Sequence, residues 1–546
     1  MFSKKKLNLI TLFCAGLSGL LLFQGIYGFD LLNPSNTDWC ILKTSDTSQH
    51  FLGGWAFLRD QWRWPLGLFY GLSNPDPASV SLVDGIPLMA FAVKSIRGVS
   101  AEPFQYLGIW TGISFILQGF FAMLLMRKLT SNTFFQFTGV FFLLLSVPFL
   151  NLGQNATALS SHFFILWALY LMLEKWSSKA FFQWIILLSC SLMVHPYIAA
   201  MCGLIYCGTT FQAAFRSWKI RNKKILLNIV FNWISVCFCL GFLLYTLGIF
   251  HIKLESSAMV FGQSQINLNC LINPQSGLIS ALVAPMPVPM EAENLYTGAG
   301  AWLLWLFLLP ALLKLLKRDS SLWKYYGFSV LFLICMLLFA INCRIYMGKE
   351  LLMHLILPPE IKNIAGIFRA AGRFAWPAWY MISAFAIARL AKEKSFNLKY
   401  IIAAAAILLQ FYDLGNGIIS CKWAARMAER ERKYVCPYVH LEQLVKGKKK
   451  LYYSYREQDF APPVYFAIKN NLVVEDFYFP RKFFRSQKTA SFNELLKNGK
   501  LDNKTVYILS ASETASLQQY RPDLKKYVHT TSERNVLCLP HGDPNK

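Results

Sequence analysis

Charged residues are scarce in this sequence for its length. Asp, Glu, Lys and Arg make up 15% of the 546 residues, whereas soluble domains carry about 25%. Hydrophobic residues reach 55%, and the mean hydropathy is +0.38. Apolar runs of about 18–25 residues recur along the chain, and this length matches the hydrocarbon core of a bilayer. The composition therefore excludes a soluble globular protein and predicts a polytopic membrane protein that contacts membrane lipids.

Acidic residues and short cofactor motifs are scarce as well. The chain has 29 Asp and Glu against 54 Lys and Arg, which gives a formal net charge of +25. In a soluble chain this excess would suggest nucleic acid, but here the basic residues cluster at the ends of apolar runs, as the positive-inside rule predicts. Nucleic-acid binding is therefore not expected. The sequence contains no P-loop, GxGxxG, HExxH or CxxC pair, so neither a nucleotide nor a zinc site is indicated.

The apolar runs predict about eleven transmembrane helices. They cover approximately residues 7–29, 104–126, 134–150, 157–173, a pair across 180–215, 225–249, 300–316, 325–342, 376–391 and 400–414. A polar turn at 151–155 is expected between the third and fourth helices, and Pro196 is expected to divide the pair because proline cannot continue a helical hydrogen-bond ladder. The first run lacks a small-x-small cleavage site, so it is predicted to stay as an uncleaved helix with a cytoplasmic N-terminus.

The basic clusters predict the orientation of these helices. Alternating eleven spans from a cytoplasmic start places every compact basic cluster on the inside. The predicted organisation is a transmembrane domain over residues 1–415, with a large first outer loop at 30–103, and a small extracytoplasmic α/β domain over 416–546. Within that tail, KKKLYYSY, NLVVEDFYF, KTVYILSAS and NVLCLP are predicted to be strands, and residues 462–471 and 491–498 helices. Cys436 and Cys538 bracket the tail and could pair if it faces an oxidising compartment.

The first outer loop carries the acids that are the strongest candidates for chemistry. Asp46 precedes an amphipathic, Trp-rich run, and such indoles favour the membrane interface. The alternative role for Asp46 is a helix N-cap, with Gln49 at capping-box spacing; His50 follows directly. Asp84 lies beside a Gly-Ile-Pro turn. It could face the same outer cleft as Asp46, or it could be an ordinary turn residue.

Two later outer loops supply candidate ligand-binding residues. Arg369 and Arg373 are spaced i, i+4, which predicts a shared helix face, and two guanidinium groups there suit a phosphate or diphosphate. Snorkelling to lipid headgroups is the alternative. Glu293, with Glu291, could bind a divalent metal such as Mg²⁺ or Mn²⁺, a sugar or nothing. His195 lies at an outer helix end, where histidines are more often structural.

The segments SDTSQHFLGGWAFLRDQWRWPLG, VDGIPLMAFAVK, NLYTGAGAW and FRAAGRFAWP resemble a family of bacterial polytopic membrane proteins related to the GT-C superfamily glycosyltransferases. The resemblance covers most of residues 30–415. It implies that Asp46 is the first-loop acid needed for sugar transfer from a polyprenyl phosphate, and that Asp84 is its partner. Some GT-C members carry further acids in the second outer loop. Residues 151–155 contain none here, so the resemblance does not establish a metal requirement.

These observations favour a glycosyltransferase of the bacterial inner membrane. Its expected donor is an undecaprenyl-type phosphate sugar, and its acceptor a glycan or lipid of the cell envelope. Asp46 would act as general base in an inverting transfer, with Gln49, His50, His195, Glu293 and the two arginines binding substrate. One alternative is a transporter or flippase of lipid-linked sugars, but such proteins place ionisable residues within their spans, and these spans have few. The other is a non-catalytic protein of envelope-polysaccharide assembly.

Overall fold

The computed structural model divides the chain into two compact units. One, here called the helical unit, contains residues 1–32, 109–242 and 256–426; the other, the loop–tail unit, contains residues 33–108, 243–255 and 427–546. The residues whose structure is described are 4–41, 45–73, 75–98, 102–255, 261, 264–275, 280–288, 293–315, 321–431, 434–454, 459–479, 491–531 and 534–540.

Helices dominate the described part of the chain. In order they are α1 Lys4–Ile26, α2 Asp38–Ile41, α3 Asp46–Arg59, α4 Pro87–Arg97, α5 Leu107–Leu129, α6 Thr133–Leu144, α7 Val147–Asn155, α8 Phe163–Met172, α9 Ser178–Leu192, α10 Pro196–Lys219, α11 Lys223–Thr246, α12 Ala299–Leu315, α13 Ser321–Ile341, α14 Pro359–Ala365, α15 Trp376–Ala391, α16 Phe396–Glu431, α17 Ala461–Lys469, α18 Phe492–Lys497 and α19 Ala511–Tyr520. The strands are β1 Leu68–Phe69, β2 Ala78–Ser79, β3 Arg344–Met347, β4 Glu350–His354, β5 Lys450–Tyr453, β6 Val473–Val474, β7 Thr505–Leu509, β8 Val528–Thr530 and β9 Asn535–Cys538.

Every apolar run predicted to be a transmembrane helix contains helix. Among the described residues, five helices are long and apolar enough to cross a bilayer: Lys6–Ile26, Leu107–Leu129, Pro196–Lys219, Lys223–Thr246 and Asn397–Ile418. Further apolar helices are shorter, at Thr133–Leu144, Phe163–Met172, Ser178–Leu192, Ala299–Leu308 and Tyr325–Ile341. The protein is therefore a multi-pass α-helical membrane protein. The count of eleven spans and their orientation stay predictions.

One predicted turn was wrong. Residues 151–155 form the end of α7 rather than a loop, and the predicted third helix is interrupted earlier, between Leu144 and Val147. Pro148 explains the shift, because proline removes a helical N–H but is tolerated in the first turn of a new helix. The polar link before α8 lies at residues 156–162 instead.

Glycines bring α1 and α5 into backbone contact within the helical unit. A Cβ atom on Gly19 would lie 2.0 Å from the carbonyl oxygen of Phe115, and one on Gly119 would lie 2.1 Å from that of Ala15. No larger side chain fits at such distances. Small residues at a crossing allow close helix packing in a bilayer, where the hydrophobic effect does not drive association between helices.

A buried tyrosine joins four elements of the helical unit. The hydroxyl of Tyr380 on α15 lies 2.8 Å from Ser146 Oγ, 2.8 Å from His162 Nδ1 and 3.1 Å from Gln118 Nε2. These partners lie between α6 and α7, directly before α8, and on α5. Because buried polar groups are costly unless hydrogen-bonded, the mutual bonds fix the helices to one another.

An acid within a candidate span anchors the start of another helix. The buried carboxylate of Asp413 on α16 accepts hydrogen bonds from the Tyr296 hydroxyl at 2.6 Å, the Ala299 backbone N–H at 2.8 Å and the Ser280 hydroxyl. Ala299 is the first residue of α12, whose N-terminus carries partial positive charge. The carboxylate therefore holds the segment before α12 against α16.

The loop–tail unit packs the first loop against the tail helix α17. Arg59 at the end of α3 donates hydrogen bonds to the carbonyl of Ile468 and the side chain of Asn471. The rings of Trp55 and Tyr465 lie 5.2 Å apart between centroids. These contacts hold α3, which carries three of the candidate site residues, against α17.

The tail contains a five-stranded mixed sheet in the order β6-β5-β7-β9-β8. Strand β5 is parallel to β6 and β7, whereas β9 is antiparallel to β7 and β8. The four predicted strands correspond to β5, β6, β7 and β9, and the two predicted helices to α17 and α18, so this secondary structure is confirmed. Cys436 and Cys538 are both buried, and the structure shows no disulfide between them. Extracytoplasmic exposure of the tail stays a prediction.

Candidate functional site

The first polar cluster begins at the N-terminus of α3 in the loop–tail unit. Ser45 is the N-cap, and its backbone N–H donates to the Ser48 hydroxyl at 3.3 Å. Asp46 is therefore the first residue of the helix, and the proposed capping box between Asp46 and Gln49 was wrong. Asp46 is exposed, and an acid in the first turn interacts favourably with the positive end of the helix.

Helical spacing places Asp46 on the same face as two buried polar residues. Gln49 and His50 follow at i+3 and i+4, the positions that neighbour residue i on a helix. Gln49 is 0% exposed, and within the described residues neither of its side-chain polar atoms has a hydrogen-bond partner. The same holds for Nδ1 of His50. Buried polar atoms left unpaired are rare in proteins, and they mark ligand-contacting or catalytic positions or the sites of bound waters.

Asp84 lies next to this cluster. Its Oδ2 atom is 3.7 Å from Nε2 of His50. The turn that presents Asp84 is strained, since Asp84 and Ile86 have φ angles of 46° and 47°, in the left-handed region that non-glycine residues rarely adopt. The Tyr106 hydroxyl holds this turn by donating to the carbonyl of Gly85. His50 is thus one observed neighbour of Asp84, and the pairing of Asp84 with Asp46 stays a prediction.

A Gly-Gly pair one turn beyond His50 allows α3 to reach this turn. A Cβ on Gly53 would lie 2.4 Å from Cβ of Val83, and one on Gly54 would lie 2.7 Å from the Tyr106 hydroxyl. Glycines lower helix stability by roughly 0.5–1 kcal/mol each relative to alanine. Their presence in the middle of α3 is explained by this close approach, which brings His50 to Asp84.

The second cluster lies in the helical unit around Arg373. Its Nε atom is 3.6 Å from Oε2 of Glu293, too long for a hydrogen bond but close enough for an ion pair. The guanidinium carbon lies 5.1 Å from the centroid of the Tyr197 ring. Burial raises the pKa of the Glu293 carboxyl, and the adjacent Arg373 opposes that rise. Arg373 is therefore a partly buried cation whose ion pair with Glu293 is imperfect.

Backbone hydrogen bonds hold the loops that carry these two side chains. The N–H of Gly372 donates to the carbonyl of Ser264 at 3.1 Å, and the N–H of Glu293 donates to the carbonyl of Gln265 at 3.0 Å. Ser264 also forms a parallel bridge with Ala370. A Cβ on Gly372 would lie 2.7 Å from Cβ of Glu293, so only glycine permits this approach.

The prediction that Arg369 and Arg373 share a helix face was wrong. Arg369 lies in a bend after α14, whereas Arg373 lies in a 3₁₀-helix over Ala371–Ala375. The β-bridge at Ala370 interrupts the helical spacing between them. Arg369 is exposed and makes no hydrogen bond or ion pair with any residue that the structure describes. The two arginines are therefore not equivalent.

His195 has a capping function in the structure. Its Nδ1 accepts a hydrogen bond from the backbone N–H of Tyr197 at 3.1 Å, at the N-terminus of α10. This contact orients the chain just before Tyr197, which lies under Arg373. A substrate contact by His195 stays a prediction.

A divalent metal such as Mg²⁺ or Mn²⁺, one of the possible ligands of Glu293, stays a prediction. The residues that the structure describes include no group of three or more His, Cys, Asp or Glu side chains that could hold a metal ion. Glu291 lies outside the described residues.

The contacts behind Arg373 were not predicted from the sequence. The His162 ring lies 4.2 Å from the Trp376 ring between centroids, and His162 also bonds Tyr380. Trp376 and Tyr380 are spaced i, i+4 on α15, so one face of this helix joins the Arg373 cluster to the buried tyrosine. The spacing of these two aromatics was the available signal, although nothing in the sequence connects them to His162.

The fold and the two clusters define a multi-pass α-helical membrane protein with polar sites near helix ends. The chain belongs to the family described as Domain of unknown function (DUF6311), whose model matches residues 16–415. No curated protein matches the chain. Among solved structures, it is similar to the archaeal oligosaccharyltransferase AglB from Archaeoglobus fulgidus in complex with an inhibitory peptide and a dolichol-phosphate, at 10% sequence identity and a TM-score of 0.41. The match covers 85% of this chain and 64% of that chain, less than two thirds of its length.

Proposed function

We propose that this protein is a membrane glycosyltransferase, which moves a sugar from a polyprenyl-phosphate donor to an extracytoplasmic glycan or lipid of the bacterial envelope. One observation carries the proposal. An exposed acid, Asp46, shares a helix face with Gln49 and His50, which are buried and have polar atoms unpartnered among the described residues. A face with an accessible base beside unpaired amide and imidazole groups suits a polyhydroxylated substrate.

The proposed reaction is a single displacement. Asp46 takes the proton from an acceptor hydroxyl, whose oxygen forms a bond to the anomeric carbon of the sugar. The bond from that carbon to the phosphate oxygen breaks, and the lipid phosphate leaves with the electron pair. One base suffices for this inverting route. Gln49 can both donate to and accept from sugar hydroxyls.

Asp84 is proposed to set the role of His50. A carboxylate near Nε2 favours the tautomer that carries its proton there, which leaves Nδ1 as a hydrogen-bond acceptor. That Nδ1 is the buried atom without a partner among the described residues. His50 would therefore position a substrate hydroxyl, while the strained turn keeps Asp84 in place.

Arg373 is proposed to bind the donor phosphate. Its planar guanidinium suits phosphate oxygens, and the 3.6 Å separation from Glu293 leaves the cation incompletely neutralised. Arg369 is assigned a lesser part because it is exposed and makes no ion pair with the described residues.

The transporter alternative is less well supported. A transporter needs ionisable groups in its spans that can engage a substrate or an ion. Asp413 is an acid within a candidate span, but Tyr296, Ala299 and Ser280 all donate to its carboxylate. This arrangement suits a structural anchor.

The substitution Asp46→Asn tests the proposed base. It keeps the size of the side chain but removes the charge, so a deletion strain expressing it should accumulate lipid-linked sugars, detected by mass spectrometry, as the empty deletion strain does. The purified variant should remain folded by size exclusion and circular dichroism, because Asp46 is exposed. Asp30→Asn, which changes an exposed acid in the first turn of another short helix, is the matched control and should complement fully. Full complementation by Asp46→Asn would refute the assignment.

A further inference from the structure

A long stretch of exposed apolar side chains lies between α13 and α15. Strands β3 and β4 form an antiparallel hairpin that turns at Gly348 and Lys349, and α14 follows. The exposed large hydrophobic residues here range from 43% to 87% exposed; they are Met347, Leu351, Leu352, Met353, Leu355, Ile356, Ile361, Ile364 and Ile367. We call them the apolar hairpin surface.

Both faces of the hairpin are apolar. A bulge in the ladder pairs Leu351 with Tyr346 and Met353 with Ile345. Because the adjacent residues Ile345 and Tyr346 of β3 point to opposite faces, Leu351 and Met353 lie on opposite faces, and both are exposed. A hairpin with one face on a core and one in water alternates apolar and polar residues. A second protein molecule would cover one face of a two-stranded sheet, whereas lipid can contact both faces at once.

The hairpin is attached where an apolar helix ends. Arg344 begins β3 shortly after Ile341, the last residue of α13, and the helix Tyr325–Ile341 is apolar throughout. The hairpin therefore emerges at the membrane boundary. Among the described residues β4 pairs with no strand other than β3, so its outer edge presents backbone groups that are costly to bury in hydrocarbon. At the boundary between headgroups and acyl chains, the apolar side chains can contact the acyl chains while the backbone groups at the strand edge stay hydrated.

Cations accompany this surface. Arg344, Lys349 and Lys362 outnumber the acids Glu350 and Glu360 within the same stretch. Lys349 lies in the hairpin turn and Lys362 in α14. Lysine and arginine beside apolar side chains favour anionic headgroups.

We infer that the apolar hairpin surface inserts into the headgroup–acyl boundary of a bilayer that contains anionic phospholipid. This role is separate from the proposed sugar transfer and does not depend on it. It makes the loop between α13 and α15 a membrane-bound element beside Arg369 and Arg373.

Photo-crosslinking of the full-length protein tests the inference. Benzophenone-bearing amino acids replace Leu352 or Ile356, and the protein is reconstituted into vesicles of phosphatidylcholine and phosphatidylglycerol, irradiated and analysed by intact mass spectrometry. The matched control position is Tyr520 on α19, which is 50% exposed. Phospholipid adducts at Leu352 and Ile356 should exceed those at Tyr520 by at least about tenfold, as expected for residues in the acyl boundary. Lipid yields no higher than at Tyr520, or crosslinks mainly to a second copy of the chain, would overturn the inference.

A charge-reversed variant tests the choice of lipid. Lys349→Glu with Lys362→Glu should lower the adduct yield severalfold in vesicles with phosphatidylglycerol and leave it unchanged in phosphatidylcholine alone. The double substitution to arginine keeps the charge and should match the unaltered protein in both. An equal yield for the glutamate and arginine variants in anionic vesicles would contradict the preference for anionic lipid.

Discussion

Gln49→Met distinguishes a ligand-binding glutamine from an ordinary buried one. Methionine has nearly the same length and flexibility but no strong hydrogen-bonding group. In the structure, Gln49 is fully buried on α3, and both of its side-chain polar atoms lack partners among the described residues. If these atoms contact substrate, the substitution should damage transfer and improve stability at the same time.

The expected magnitudes follow from the burial. An unpaired buried polar atom costs about 1–3 kcal/mol, and relaxation or a bound water recovers part of this cost. A net gain of about 1–2 kcal/mol is therefore expected, and for a unit of this size each kcal/mol raises Tm by about 2–4 °C. Loss of one or two substrate hydrogen bonds should lower transfer by about ten- to a hundredfold, which corresponds to about 1.4–2.7 kcal/mol.

The assay combines two measurements on the same variant. Thermal unfolding in detergent, followed by intrinsic fluorescence, gives Tm, and hydrogen exchange of peptides over α3 localises the change. Lipid-linked sugars in a complemented deletion strain report transfer. A lower Tm with unchanged sugar levels would refute the reasoning, because Gln49 would then be a structural residue whose partners stabilise the fold.

Three further predictions concern the helical unit. Arg373→Lys should weaken binding of undecaprenyl phosphate about tenfold or more, because lysine lacks the planar guanidinium group, whereas Arg369→Lys should change this binding less than about twofold. Native mass spectrometry measures both affinities, and equal losses would contradict the structure. Because burial raises the pKa of Glu293, the negative charge of Glu293 is lost as pH falls through that raised pKa. Binding of undecaprenyl phosphate at Arg373 should therefore strengthen on acidification, whereas the Glu293→Gln variant should already bind tightly at high pH. Parallel pH profiles of the two proteins would refute this. Asp413→Asn leaves donors such as the Tyr296 hydroxyl badly paired, so it should lower stability by about 1–3 kcal/mol and reduce Tm, and an unchanged Tm would contradict the anchor.

The helices were predictable because their signal is local. The composition of an apolar run is enough to predict a membrane helix, and alternation of apolar and polar residues predicts the strands of the tail. The break between α6 and α7 was not predicted because the residues around it are apolar. An apolar run alone does not distinguish one helix from two. The five candidate spans are consistent with the predicted multi-pass membrane protein.

The site was only partly predictable because its contacts are distant in sequence. Gln49 and His50 are adjacent to Asp46, so the acid drew attention to them. By contrast, Arg373 is far along the chain from its neighbours Glu293 and Tyr197, and Tyr380 behind this cluster is 218 residues from His162. Arg369 shows a different error. The i, i+4 spacing rule is correct within a helix, but tertiary contacts give the segment from Arg369 to Arg373 another conformation.

The backbone bonds that join residues 264–265, Glu293 and residues 370–372 have a consequence for protein engineering. Each stretch supplies main-chain groups that complete the hydrogen bonding of another, and Gly372 leaves no room for a side chain against Glu293. A chimera that takes one of these loops from a relative would leave main-chain groups without partners unless the other two came with it. The three loops should therefore be exchanged as a set, and insertions should be placed well away from these bonds.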